Sequence, residues 1–287
     1  MDFSVPAGEA ALVPPDSISW QIFRNPLALF VGGVAAVILE LAEPRVRAGV
    51  WEHSSFRTDP VERLRRTGLA AMVTVYGARG TAEQMIAGVR RVHDRVRGVA
   101  DNGEAYEANQ QELLDWVQAT AMFGFLHAYH RYVRPLPLAE RDAFYADGSA
   151  AAQLYGAIGA PRTEAELDAL FAATKTKLTR SSVIFEFLRI MRSARIFPLP
   201  LRPVQHLLIR AAVEMLPPWF RDLTALGPRS GLRSWELPLV KQIGTAADRL
   251  RLDSSPAAEA SLRLGLPRDY LWKAAATSAS IRSSSPS

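Results

Sequence analysis

Nowhere in the 287 residues do apolar and polar positions alternate with a sustained period of two. Apolar residues recur instead at three- and four-residue spacing, between prolines and short polar breaks. Only a 3.6-residue repeat returns such positions to one face, so the pattern requires helices. No longer repeat is visible that would build a solenoid. The expected fold is therefore all-α, a multi-helix bundle of one domain, and the chain is long enough to bury a substantial core.

The punctuation divides the chain. Residues 1–16 hold three prolines and read as an extended arm. Residues 17–250 carry the helical pattern and form the domain. Residues 251–287 turn to Ala, Ser and Pro and read as a tail, disordered towards Ser283–Ser287. Asn25-Pro26 restarts the first helix, and Pro44 opens one running to His53. Asp59 caps the next, with Pro60 at its first position, and Tyr76-Gly77 stops it. Thr81 caps a helix predicted to run to Gly98, followed by a polar loop over 99–110. Asn109 leads into a long helix ending at Pro135.

Composition excludes several classes. There is no cysteine, which rules out disulfides, thiolate metal sites and thiolate catalysis within this chain. The formal charge is +5, but Arg and Asp/Glu interleave along most segments as on solvated helix faces, so no nucleic-acid partner is expected. The apolar run from Pro26 to Leu39 falls short of a membrane span and is followed at once by Glu40 and Glu43. It reads as a buried core helix. Gly32-Gly33 within it implies a tight helix crossing or the approach of a flat ligand. The N-terminus lacks a basic start with an apolar run, so the expected location is cytoplasmic, with peripheral membrane contact as the alternative.

The densest chemistry lies between Trp51 and Gly98. Two of the five histidines, His53 and His93, stand there among Arg63, Arg65, Arg66, Thr67, Arg90, Arg91, Arg95 and Arg97. Arg63, Arg66 and Thr67 share one side of their helix. A histidine with several fixed cations and a hydroxyl suits haem, where imidazole binds iron and guanidinium groups pair the propionates. The same residues also suit a bundle with solvated arginines and a hydrogen-bonded core histidine. No phosphate loop, nucleophile elbow or His-Glu-x-x-His motif occurs. His127 and His130, three apart, lack an identifiable third metal ligand and read as groove histidines.

Several separated motifs share an order with one family. They are Trp51-Glu52-His53-Ser54, Asp59-Pro60, Arg63-x-x-Arg66-Thr67, Tyr76-Gly77 and Val92-His93-Asp94-Arg95-Val96-Arg97-Gly98. Leu113 to Thr120, Tyr132 to Leu136, and Ala211 to Phe220 continue the match. Over roughly residues 20 to 245 the chain resembles the domain shared by rubber oxygenases (latex clearing proteins) and the MpaB-type oxygenase of mycophenolic acid biosynthesis. The resemblance implies an all-α bundle of the latex-clearing-protein type that binds haem b, uses O2 and acts on an apolar, isoprenoid or lipid-like substrate by oxidative C=C cleavage. It maps His93 onto the proximal iron ligand, Arg63 and Arg97 onto propionate partners, Arg66 and Thr67 onto the distal side, and His53 onto a pocket position.

Three departures accompany it. Arg66 stands where relatives carry lysine, and arginine does not lose its proton to bind iron. Glu43 precedes Pro44 where relatives carry histidine, and Gln118 replaces a histidine in Trp116-Val117-Gln118-Ala119-Thr120. A non-catalytic all-α protein binding a lipid or other apolar ligand is the rival reading.

Overall fold

The computed structural model describes residues 1–273. Its helices are, in order, α1 (Ile18–Phe23), α2 (Pro26–Glu40), α3 (Pro44–His53), α4 (Pro60–Tyr76), α5 (Arg79–His93), α6 (Gln111–Tyr132) and α7 (Leu138–Asp147). There follow α8 (Ser149–Tyr155), α9 (Glu164–Thr174), α10 (Ser182–Ser193), α11 (Arg202–Glu214), α12 (Pro218–Thr224), α13 (Glu236–Asp248) and α14 (Pro256–Arg263). The protein is all-α, as its spacing requires. Four of the described helices, α2, α3, α4 and α14, begin on a side-chain cap followed by proline, which lacks the N–H that a first helical residue cannot use. Asn25 Oδ1 accepts from Leu27 and Ala28, and Asp59 Oδ1 from Glu62.

The core is organised on α2 and α6. They cross so closely that a Cβ on Gly32 would lie 2.6 Å from the Gly124 carbonyl oxygen. Nine residues of α2 are buried, with α11 and α13 packed against it. Gly33, one residue on, has nothing within 4 Å of a Cβ position. The two glycines thus do different things: Gly32 makes the crossing, and Gly33 borders open space. No single described helix is long and apolar enough to cross a membrane; α2 and α3 pass that test only as a pair bent by 114°.

α4 and α5 form an antiparallel hairpin through Gly77-Ala78. Its closed end is well packed, with Val73, Val75, Tyr76, Ala82 and Ile86 all buried. Its other end is not. Residues 61–70 of α4 include no buried residue, nor do residues 87–97. Leu69 is 37% exposed, whereas Val73 and Tyr76, one and two turns further along the same face, are 1% and 0%. The apolar face of α4 leaves the core as the helix runs back to its start.

Three stretches differ from the sequence expectation. The helix predicted to run to Gly98 ends at His93, and a two-stranded antiparallel hairpin follows, β1 (Arg97–Val99) with β2 (Ala105–Glu107). Three-residue strands are too short to display an alternation, so the loop reading over 99–110 missed them. The arm is extended but held down, with Phe3, Leu12 and Val13 buried. The expected tail contains α14 and the buried Leu271 and Trp272, and its polar-looking Arg263 is 2% exposed. Arg263 donates to the carbonyls of Phe3, Glu9 and Tyr76 at 2.7, 2.8 and 2.7 Å, clasping arm, α4 and α14 together. Ser283–Ser287 lie outside the described residues.

Candidate functional site

The open end of the α4–α5 hairpin faces the C-terminal end of α2. Burial is periodic along α2: Phe30, Gly33, Val37 and Glu40, at spacings of three and four, are only half-buried, while most of their neighbours are buried. On α6 the corresponding positions are Val117, Gln118, Ala121 and Phe125. These two stripes are apolar until Gln118 and Glu40, and no element closes over them completely.

Glu40 is the last residue of α2. Burial pushes its carboxyl up to about 7, against the opposing pull of the Arg63 guanidinium and the Thr120 hydroxyl. Thr120 Oγ1 stands 3.5 Å from Glu40 Oε1 but donates at 2.9 Å to its own helix carbonyl at Val117, so its hold on Glu40 is weak. Arg63, on α4, is half-buried, and burial lowers its pKa while Glu40 opposes the shift and Arg66 adds to it. Arginine stays protonated regardless. Its Nη1 donates at 2.8 Å to Thr67 Oγ1, one turn along the helix. Among the described residues no carboxylate lies within ion-pair distance of Arg63.

His93 ends α5 and is half-buried. Burial, then the nearby Arg63 charge, lowers its pKa, with the Asn109 side chain and Asp94 opposing. The imidazole is therefore neutral near pH 7, the form that binds metals. Its Nδ1 is buried without a hydrogen bond. With Nδ1 inward, the accessible edge of the ring carries Nε2.

The structure thus brings together His93, Arg63 and, through Arg63, Thr67 and Arg66. Thr67 is exposed and its hydroxyl donates to the Arg63 carbonyl at 2.9 Å, so its proton serves its own helix. Arg66 is exposed on α4. Two expected residues stand elsewhere. Arg97 is exposed on β1, opposite Glu107. His53 is exposed at the end of α3, with Nε2 3.2 Å from the hydroxyl of the buried Tyr106 on β2. Neither has a hydrogen bond or ion pair to His93 or Arg63 among the described residues.

Two departures acquire explanations. Glu43 caps α3, its Oε2 accepting from Val46 N at 2.7 Å and its Oε1 from Arg45 at 2.8 Å, and it is 2% exposed. A buried carboxylate does there the work of a helix cap. Gln118 lies on the uncovered stripe of α6 and alters its polarity. Sequence reading missed Glu40 and Asn109. Glu40 had a signal, being in phase with Gly33 and Val37 on an otherwise apolar helix. Asn109 had none, because its placement depends on the hairpin.

His127 and His130 line a separate cavity of about 390 Å³ with Arg131, Pro135, Met215 and Lys241. His130 Nδ1 accepts from Leu136 N at 2.9 Å. His127 stacks on Phe123 with ring centroids 4.4 Å apart. Its Nε2 is 3.5 Å from Glu164, yet it is no ion pair: burial drives its pKa to about 3, and Glu164 is already held by Arg141 at 2.6 Å. No group of three or more potential metal-ligating side chains occurs among the described residues.

A haem held by one axial histidine needs a neutral imidazole with one free nitrogen, cations for its propionates and an apolar slot. Neutral His93, Arg63 without a carboxylate at ion-pair distance among the described residues, and the half-buried apolar stripes of α2 and α6 have those characters, so the residues fit such a group. The profile of the family described as ER-bound oxygenase mpaB/B'/Rubber oxygenase, catalytic domain, matches residues 20–264. The chain belongs to this family of oxygenase catalytic domains. No curated protein and no solved structure matches the chain.

Proposed function

We propose that the protein is a haem b-dependent oxygenase that uses O2 on an apolar, isoprenoid or lipid-like substrate, with oxidative cleavage of a C=C bond as the reaction. The carrying observation is His93, neutral and half-buried at the end of α5, beside Arg63, which has no carboxylate within ion-pair distance among the described residues, and two half-buried apolar stripes on α2 and α6. When bound, the haem supplies the one-electron and O2 chemistry that the side chains lack.

The chain's own residues orient and select. His93 Nε2 holds the iron. Arg63 pairs a propionate, with Arg66 adding positive charge from the next turn and Arg97 from β1. Phe30, Gly33 and Val37, with Val117, Ala121 and Phe125, bind the substrate and exclude water. Glu40, whose carboxyl is pushed up to about 7, populates both its protonated and its ionised form near pH 7 at the polar end of that slot and can hand a proton to whatever occupies the site. His53 serves the hairpin through Tyr106.

The test is an absorption spectrum of protein expressed with haem precursor, beside His93→Ala. A Soret band in the parent that is lost or shifted in the variant is the expected result. No band after reconstitution would sink the oxygenase reading. The second reading, a binding protein for an apolar ligand without haem, is favoured by one observation: the Thr67 proton is already committed to its helix. Co-purifying lipid without a Soret band would support it.

A further inference from the structure

His93 Nδ1 and Asn109 Oδ1 are both buried, and neither completes a hydrogen bond. Such orphans are costly in a protein interior and demand an explanation. The Asn109 amide cannot rotate away to resolve it. Its Nδ2 donates to Asp94 Oδ1 at 2.6 Å and to the Arg90 carbonyl at 3.2 Å. Both partners accept only, so the NH2 end is committed to them and the oxygen must point the other way. Asp94 and Arg90 flank His93 in sequence, so the clamp is built on the same helix end as the histidine.

The hairpin explains how a residue sixteen positions later reaches this place. β1 leads out from α5 and β2 returns, in the register Arg97 with Glu107 and Val99 with Ala105. Ala108 N donates to the Val96 carbonyl at 2.9 Å, closing the base of the hairpin. Asn109 is the next residue, and it lands against the last turn of α5.

We infer that Asn109 is a positioning residue: its amide oxygen accepts from His93 Nδ1, fixing the tautomer that carries the proton on Nδ1 and turning the lone pair of Nε2 towards the open slot. A histidine that ligates a metal commonly donates its other N–H to an oxygen, which fixes the ring and raises its basicity. The inference rests on the proposed function for what Nε2 then binds, but the tautomer is a property of the protein without haem.

The experiment has two parts. In haem-free protein, 15N NMR of His93 should show a protonated Nδ1 and an unprotonated Nε2. The Asn109→Leu variant should shift this towards the opposite tautomer or a mixture. Protonated Nε2 in the parent would overturn the inference without touching the oxygenase reading. In haem-loaded protein, Asn109→Leu should weaken haem retention by about 10–100-fold. It should also raise the reduction potential, because an unsupported imidazole donates less to iron. Asn109→Asp, a stronger acceptor, should lower the potential. Shifts in the same direction for both variants would mark Asn109 as merely structural. Absence of haem from the parent would overturn the proposed function and leave the tautomer result standing.

Discussion

The α2–α6 crossing and the open end of the α4–α5 hairpin are made of similar residues and behave in opposite ways. At the crossing, glycine meets glycine and backbone touches backbone. At the hairpin's open end, α4 presents Val61 and Leu69 to solvent and α5 presents Val92. The same kind of apolar residue is fixed at the crossing and left accessible at the hairpin's open end. The crossing supplies the rigidity, and the hairpin supplies the space.

The largest expected effect attacks the crossing. In Gly124→Ala the new Cβ would stand 2.2 Å from the Gly32 carbonyl oxygen, a backbone atom with no rotamer to give. Urea denaturation should show a loss of about 3 kcal/mol or more. A loss below about 1 kcal/mol would show that the helices separate readily and that the crossing is not the rigid partner.

Glu40→Gln tests the polar end of the slot. The native carboxyl keeps its proton to about pH 7, whereas the unfolded chain releases it near 4.5. Native protein therefore binds more protons across that window, and its stability falls as pH rises through it. The glutamine variant avoids this fall. It should match the parent near pH 4.5 and exceed it above pH 7, by at most about 3 kcal/mol. Equal pH profiles would mean that Glu40 is solvated and the slot wet.

Gly33→Ala has the smallest effect and the most informative sign. With nothing near its Cβ, alanine should stabilise α2 by about 0.5–1 kcal/mol. If the same variant also loads haem or apolar ligand less well, the space beside Gly33 is occupied in function. Stabilisation with unchanged loading would place the ligand elsewhere.

The elements were legible where a residue announces its own geometry. Asp59-Pro60 and Asn25-Pro26 start their helices, and Tyr76-Gly77 ends one, because capping and the missing proline N–H act within one turn. Arg63, Thr67 and His93 were legible as members of one region for the same local reason and because their motifs share an order with a family. Pairings between distant segments were not legible. His53 reads like a pocket residue until β2 brings Tyr106 to it. Asn109 reads like the start of a helix until the hairpin returns it to α5. Arg263 looks like a tail residue because the carbonyls it serves lie more than 180 positions away, at Tyr76, Glu9 and Phe3. Glu43 matched a family position, but its work as a cap is visible only from Val46.

The Arg263 clasp also governs the order in which this molecule is completed. The carbonyls of Phe3, Glu9 and Tyr76 wait for a guanidinium synthesised far later, at Arg263, and Gly8 N waits for the Arg263 carbonyl. Such a closure spans most of the polymer and pays a large loop entropy before any contact rewards it. A ribosome-bound chain can pair α2 with α6 long before residue 263 leaves the exit tunnel, while the N-terminal strap must stay loose until then. The clasp of Arg263 on Phe3, Glu9 and Tyr76 is therefore a closure that can form only after the α2–α6 core is already available.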